Sequence, residues 1–495
     1  MTLDARMHRI IDRFLLGIIL AFTALHFVRL AADFPWNRWQ ESAAYTDEGW
    51  WSSAAVNAFN TGHWNVIGGY NPGVATPVFP AVLLLAFKLV GPGLFTARSV
   101  ESIFFALFVL FTYLLASRLE GTRFALLVSV LFSVSYFTFS FGRLALLEFP
   151  MLFLVTAALY VATCWSERPL VRGVVIGLLL TLAFLTKMSA IFALAPIAYL
   201  LYERSSNRSR FMFSLISATV IGGVVVGLYA ALALSHYAPD FQTFMHVQKH
   251  LLLGGSFIGM LPMAIKHSVG RGIYMGSVIY PLGLLGTVWY LCSRRGAFRH
   301  PLFVVSFLWL VSYLGYLTIR LEWPPRYYVV LYWPIICLLL ESIRALYSVN
   351  RQIASAIAAL VFLCALVNAN RIVHYIANPQ YTFYNMTHDV HNRILKEKPG
   401  GSFLLGGTGA TISLENYIPS ISDGDYHSKP IEWVLSIYCP GYFISGSADL
   451  NTPDLRVITD RFRSEVISKY NVFGNNAAPR NIYLYKLYPR PSACQ

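Results

Sequence analysis

Apolar runs of about 20 residues recur through the first 370 residues of this chain, and the short gaps between them hold arginines. In hydrocarbon a backbone must satisfy its own hydrogen bonds, so runs of that length fold as transmembrane helices. Charged residues make up 13% of the 495, against about 25% in an ordinary soluble chain. The expected fold class is therefore an α-helical polytopic membrane protein. A formal charge of +14 would suggest nucleic acid in a soluble domain. Here the basic residues lie between spans, which makes them topology signals, and no nucleic-acid partner is expected.

Arg6, Arg9 and Arg13 precede the first span, 14–32, and set the N-terminus in the cytoplasm. That span has no small-residue cleavage site and is expected to stay as an anchor. Further spans are expected at 98–117, 124–141, 149–165, 171–187, 188–202, 211–235, 273–292, 302–319, 327–346 and 352–370, about eleven in all. The ambiguous stretch is 76–90, which is apolar but short, with two prolines and Lys88. If it crossed the membrane, Arg118, Arg123, Arg168, Arg172, Arg204, Arg208, Arg210, Arg294, Arg295, Arg299, Arg344 and Arg351 would all move outside. The positive-inside rule opposes that, so 76–90 reads as an interfacial helix within an outer loop spanning 33–97. The run 174–202 is too long for one crossing and has Lys187 in its middle, so two helices broken at Lys187 are expected.

This topology gathers ionisable residues on the outer face from separate parts of the chain. Asp47 and Glu48 lie in the first loop, and Arg143 and Glu148 in a second. Lys187 lies between two apolar helices, and Arg326 and Tyr327 open a later span. Carboxylates can act as general bases, and cations can hold a phosphate whose charge grows as it leaves. Structural readings stand beside these: Thr46 or Asp47 capping a surface helix from Trp50 to Phe59, a snorkelling Lys187, an interface-anchoring Arg143. His246 and His250 lie four apart, a metal-pair spacing on a helix, but without an HExxH frame. No cofactor motif is present, and a divalent metal stays open.

The order of these motifs resembles the GT-C glycosyltransferases, on the branch of protein O-mannosyltransferases and lipid A aminoarabinose transferases. The resemblance covers roughly residues 1–350. It rests on Asp47-Glu48, Asn60-Thr61-Gly62-His63-Trp64, the proline-bearing interfacial helix, Gly142-Arg143-Leu144-Ala145-Leu146-Leu147-Glu148, Leu185-Thr186-Lys187 and Arg326-Tyr327. It implies transfer of a sugar, hexosyl or pentosyl, from a polyprenyl-phosphate donor to a lipid, glycan or protein acceptor at the outer face. Such an enzyme would sit among membrane lipids, in a bacterial inner membrane. The family's first acid falls on Asp47, its second-loop acid on Glu148, and a loop histidine on His250. Glu48 is the alternative to Asp47. Arg143, Lys187 and Arg326 are the donor-phosphate candidates, with Tyr327 and His250 at the substrate. One departure is Thr76 before Pro77, where the aminoarabinose branch has lysine. The rival class is a lipid or lipid-linked-sugar flippase, but no internal repeat of the transporter kind is present.

Past residue 371 the composition turns polar. A small C-terminal α/β domain, 372–495, is expected on the outer face. Its β-like runs are Ser402–Leu405, Val434–Ile437, Tyr442–Ile444, Arg456–Ile458 and Ile482–Leu487, and Asp460–Tyr470 reads as helical. Gly406-Gly407-Thr408-Gly409 lacks the full phosphate-binding fingerprint and reads as a structural turn. Of the six cysteines, only Cys439 and Cys494 are placed to form a disulfide.

Overall fold

A computed structural model describes residues 3–35, 46–64, 72–252, 262, 266, 278–293, 300–319, 324–397, 403–421, 431–450, 456–473, 480–491, 493 and 494. The N-terminal part is helical: α1 (Leu3–Leu25), α2 (Glu48–Thr61), α3 (Val78–Val90), α4 (Leu94–Glu120), α5 (Thr122–Ser133), α6 (Tyr136–Phe141), α7 (Glu148–Ala162) and α8 (Pro169–Thr186) come first. After a 3₁₀ turn at Met188–Ala193 follow α9 (Leu194–Glu203), α10 (Arg208–Leu252), α11 (Ile279–Ser293), α12 (Pro301–Thr318), α13 (Val329–Tyr347) and α14 (Arg351–Ala377). Six of the described helical segments are long and apolar enough to cross a membrane: Leu94–Glu120, Pro169–Thr186, Arg208–Gln242, Pro301–Thr318, Pro325–Tyr347 and Arg351–Glu397. The chain is an integral membrane protein.

Several local expectations are met for identifiable reasons. The backbone leaves the helix at Lys187, with φ −156° and ψ 120°, so the long apolar run does divide there. Helix α10 runs past the expected span end at 235. Tyr237 breaks the α10 geometry at φ −135°, Pro239 follows, and helix then continues to Leu252. Amphipathicity is clear in α3. Phe79, Leu83 and Phe87 are buried at four-residue spacing, against Ala55 and Val56 of α2 and Leu94, Ala97 and Val100 of α4. Leu85, Leu89 and Val90 face outward.

The C-terminal part opens with α15 (Thr382–Glu397), then β1 (Leu404–Leu405), α16 (Gly409–Glu415), β2 (Ser420–Ile421), α17 (Ile431–Tyr438), β3 (Tyr442–Ser445), α18 (Arg456–Arg461), β4 (Phe462–Val472) and β5 (Arg480–Pro489). Its five-stranded sheet has the order β2-β1-β3-β5-β4. β1 runs parallel to β2 and β3, and β5 antiparallel to β3 and β4. Alternation gives the sheet two apolar faces. Leu404, Tyr442, Ile444, Ile482 and Leu484 join Phe383, Met386, Val390 and Ile394 of α15 in the core that continues into the membrane helices. Leu405, Phe443, Tyr485 and Leu487 pack under Leu435 and Ile458 instead.

Three elements here differ from the sequence expectation. Val434–Ile437 and Arg456–Ile458 lie in helices α17 and α18, and Asp460–Tyr470 is mostly strand β4. Short apolar runs do not separate helix from strand by periodicity, and β4 is held by ten paired positions on β5 rather than by local preference. Cys439 and Cys494 form a disulfide with Cα atoms 5.4 Å apart. Gly406, at φ +119°, has the Ile444 carbonyl oxygen 2.3 Å from where a Cβ would sit, so the glycine turn serves close packing.

Candidate active site

Four segments distant in sequence bring charged side chains together. Asp47 immediately precedes α2, and Glu148 opens α7. Lys187 sits at the break after α8, and Arg326 lies in the 3₁₀ turn Pro325–Tyr328 that leads into α13. Arg326 Nη2 is 2.6 Å from Asp47 Oδ2, and its Nε is 3.7 Å from Glu148 Oε1. Lys187 Nζ donates to Glu148 Oε1 at 2.5 Å. The Tyr327 ring underlies both cations, with Lys187 Nζ at 4.3 Å and the Arg326 Cζ at 5.3 Å from its centroid. Asp47 and Glu148 are thus linked through one guanidinium. The Asp47 side chain keeps 20% of its exposure while Glu148 keeps 3%, so Asp47 is the carboxylate open to a partner.

Two other candidates are placed elsewhere. Glu48 is wholly buried and takes one edge of the Arg98 guanidinium with both oxygens, with Nε to Oε1 at 2.8 Å and Nη2 to Oε2 at 2.6 Å. Its Oε1 also accepts the Ala145 N–H at 3.0 Å, which ties α2, α4 and the segment before α7 together. One residue's difference turns the side chain inward on the helix, so Glu48 is a fold-holding carboxylate. Arg143 is also buried, and its guanidinium donates to the Leu25 and Arg29 carbonyls at 3.2 and 2.6 Å. It lies against the Phe139 and Tyr375 rings. Those bonds tie Arg143 to the end of α1. The side chains of His246 and His250 lie outside the described residues.

Sequence reading missed two neighbours of this site. In sequence Arg98 marks only the start of a span. Glu101, one turn further along α4, is completely buried with Glu148, Glu48 and Lys187 as its charged neighbours. A charged pair inside an otherwise apolar helix is the signal that could have marked both. Among the described residues, Glu120, His300 and Glu341 have metal-like spacing, but they lie at the opposite end of α4. There Arg344 donates to both carboxylates, at 2.8 and 2.6 Å, and approaches His300 Nδ1 at 3.4 Å, so a guanidinium already supplies the cation.

This fold matches known structures along nearly the whole chain. ArnT from Cupriavidus metallidurans bound to undecaprenyl phosphate superposes with a TM-score of 0.62 at 14% identity, covering 97% of this chain and 99% of that one. The Archaeoglobus fulgidus oligosaccharyltransferase tethered with an acceptor peptide gives 0.54 at 11% identity, covering 97% of this chain and 74% of that one. The mycobacterial arabinofuranosyltransferase AftD gives 0.51 at 13% identity, with 97% of this chain covered against 40% of that larger one. By sequence, residues 74–229 match the family model for dolichyl-phosphate-mannose-protein mannosyltransferase. No curated protein sequence matches the chain. The chain shares its fold with these membrane glycosyltransferases, and its residues 74–229 carry the sequence pattern of the mannosyltransferase family.

Proposed function

We propose that this protein transfers a sugar from a polyprenyl-phosphate carrier to an acceptor hydroxyl at the outer face of a bacterial inner membrane. The observation that carries the proposal is the four-residue network itself: a part-exposed carboxylate beside two cations, assembled from four segments. In the reaction, Asp47 takes the acceptor proton as the hydroxyl oxygen bonds to the anomeric carbon. The bond from that carbon to the phosphate oxygen breaks, and polyprenyl phosphate leaves with the extra negative charge. Attack opposite the leaving group inverts the anomeric centre. Lys187 and Arg326 face that charge, and Glu148 orients both by pairing with each. Apolar helices suit the lipid tail of such a donor, and the similar ArnT structure is bound to undecaprenyl phosphate.

The outer-face assignment rests on charge and on a geometric point. Gly49 of α2 and Leu94 of α4 both bond α16, which is seven residues and about 10 Å long. The chain leaves and returns to one side within that distance, and α3, at about 20 Å, is shorter than the hydrocarbon core. An uncrossed α3 makes eleven spans. Position 206, exposed between α9 and α10, is then cytoplasmic. In a Cys292→Ser background, Ser206→Cys is expected to react with an impermeant thiol reagent only from the cytoplasmic side, and labelling of sealed cells from outside would refute the topology.

The proposal is tested with radiolabelled polyprenyl-phosphate sugars in proteoliposomes, offered with lipid, glycan and peptide acceptors. Label transferred to an acceptor is expected. Transbilayer movement of intact donor without transfer would support the flippase instead. Neutralising Lys187 or Arg326 to glutamine is expected to weaken donor binding roughly tenfold, the scale of one charge-assisted hydrogen bond. Arg143→Gln is expected to leave donor binding alone. Unchanged donor affinity in both the Lys187 and Arg326 variants would remove them from the phosphate site.

A further inference from the structure

The C-terminal domain reaches into the active site through one hydroxyl. Thr411, in the first turn of α16, is wholly buried. Its Oγ1 accepts the Gly49 N–H at 3.1 Å and donates to the Thr46 carbonyl at 3.4 Å. These two backbone groups bracket the Asp47-Glu48 dipeptide, so a single side chain from 362 residues away spans the backbone that carries the base. The approach is too close for any residue but glycine at 49, where a Cβ would fall 2.0 Å from the Thr411 backbone nitrogen. One turn on, Glu415 accepts the Leu94 N–H at 2.7 Å, which fixes the same helix to the start of α4. Asp47 has no side-chain bond to cap α2, so its position depends on its backbone. Its Oδ1 accepts only the neighbouring Thr46 hydroxyl among the side-chain bonds described, at 3.2 Å.

We propose that Thr411 is a positioning residue for sugar transfer, and that the C-terminal domain serves the reaction by holding the Asp47 backbone in register with Arg326. The inference rests on the reading of Asp47 as the base. Misplacing a reacting group by a fraction of an ångström costs rate without costing donor affinity, because the donor phosphate is held from other segments. A loop free to move would also lose the Asp47 to Arg326 contact that sets the carboxylate's direction.

The experiment uses the full-length protein in detergent, with turnover and donor binding measured on the same folded samples. Thr411→Val keeps the shape and removes both bonds. It is expected to lower kcat roughly tenfold with the donor Kd within about twofold of wild type. Thr411→Ser keeps the hydroxyl and is expected to stay close to wild type. Should the valine variant fail to fold, Thr411→Cys, of similar volume and weak hydrogen bonding, is judged by the same criteria. In an Asp47→Asn background, Thr411→Val is expected to cost nothing further, since both changes act on one group. Full turnover in Thr411→Val, or an equal loss with and without Asp47, overturns the inference. Full turnover in Asp47→Asn alone defeats the reading of the base instead, so the two failures are told apart.

Discussion

Asp47→Asn is expected to lower sugar transfer by roughly 10²–10⁴-fold, the usual worth of a general base, while donor binding stays near wild type. Asparagine keeps the size of the side chain and an acceptor for the Arg326 guanidinium, and loses only the capacity to take a proton. The Asp47 to Arg326 pair is part-exposed, so its loss should cost little stability. A rate defect without a binding or folding defect is therefore the signature. Glu148→Gln should behave differently. That carboxylate meets both Lys187 and Arg326, so its neutralisation is expected to disturb donor binding as well as turnover. The check is turnover per folded molecule beside a direct donor-binding measurement. An Asp47→Asn enzyme with near-normal turnover would move the base to Glu148.

Much of this site was legible in the sequence because the membrane makes charge expensive. Lys187 between two apolar helices could not be idle, and the structure pairs it with Glu148. The apolar runs likewise led to most of the helices, and to the break at Lys187, although the first helix begins eleven residues before the expected span and α10 runs on to Leu252. The direction of a side chain was not legible. Asp47 and Glu48 are adjacent and chemically alike, and only tertiary packing shows that one faces the cations and the other Arg98. Arg143 opens the motif that ends in an acid, yet its guanidinium donates to the Leu25 and Arg29 carbonyls at the end of α1. Strand β4 reads as helix in sequence because its partner β5, not its own pattern, decides its state. Thr411 carries no signal at all in sequence. A threonine becomes a clamp only when the fold brings Gly49 against it.

The second large effect expected is on stability, at Glu48. Arg98 and Glu48 have side-chain exposures of only 4% and 0%, and the guanidinium also donates to the Leu30 and Ala32 carbonyls at 2.6 and 2.9 Å. Removing one partner of such a pair leaves a buried charge without its counter-charge, which costs about 3–5 kcal/mol. Glu48→Gln is therefore expected to lower the thermal midpoint and the folded yield in detergent, far more than Asp47→Asn does next door. The molecules that do fold should keep more turnover than Asp47→Asn, because the glutamine touches neither Arg326 nor Lys187. Pairing Glu48→Gln with Arg98→Gln should recover part of the lost stability, since no unpaired charge remains. Full recovery is not expected, because the Leu30 and Ala32 carbonyls and the Ala145 N–H depend on the same two side chains. A Glu48→Gln protein as stable as wild type, but catalytically dead, would reverse the roles argued for the two neighbours and make Glu48 the base.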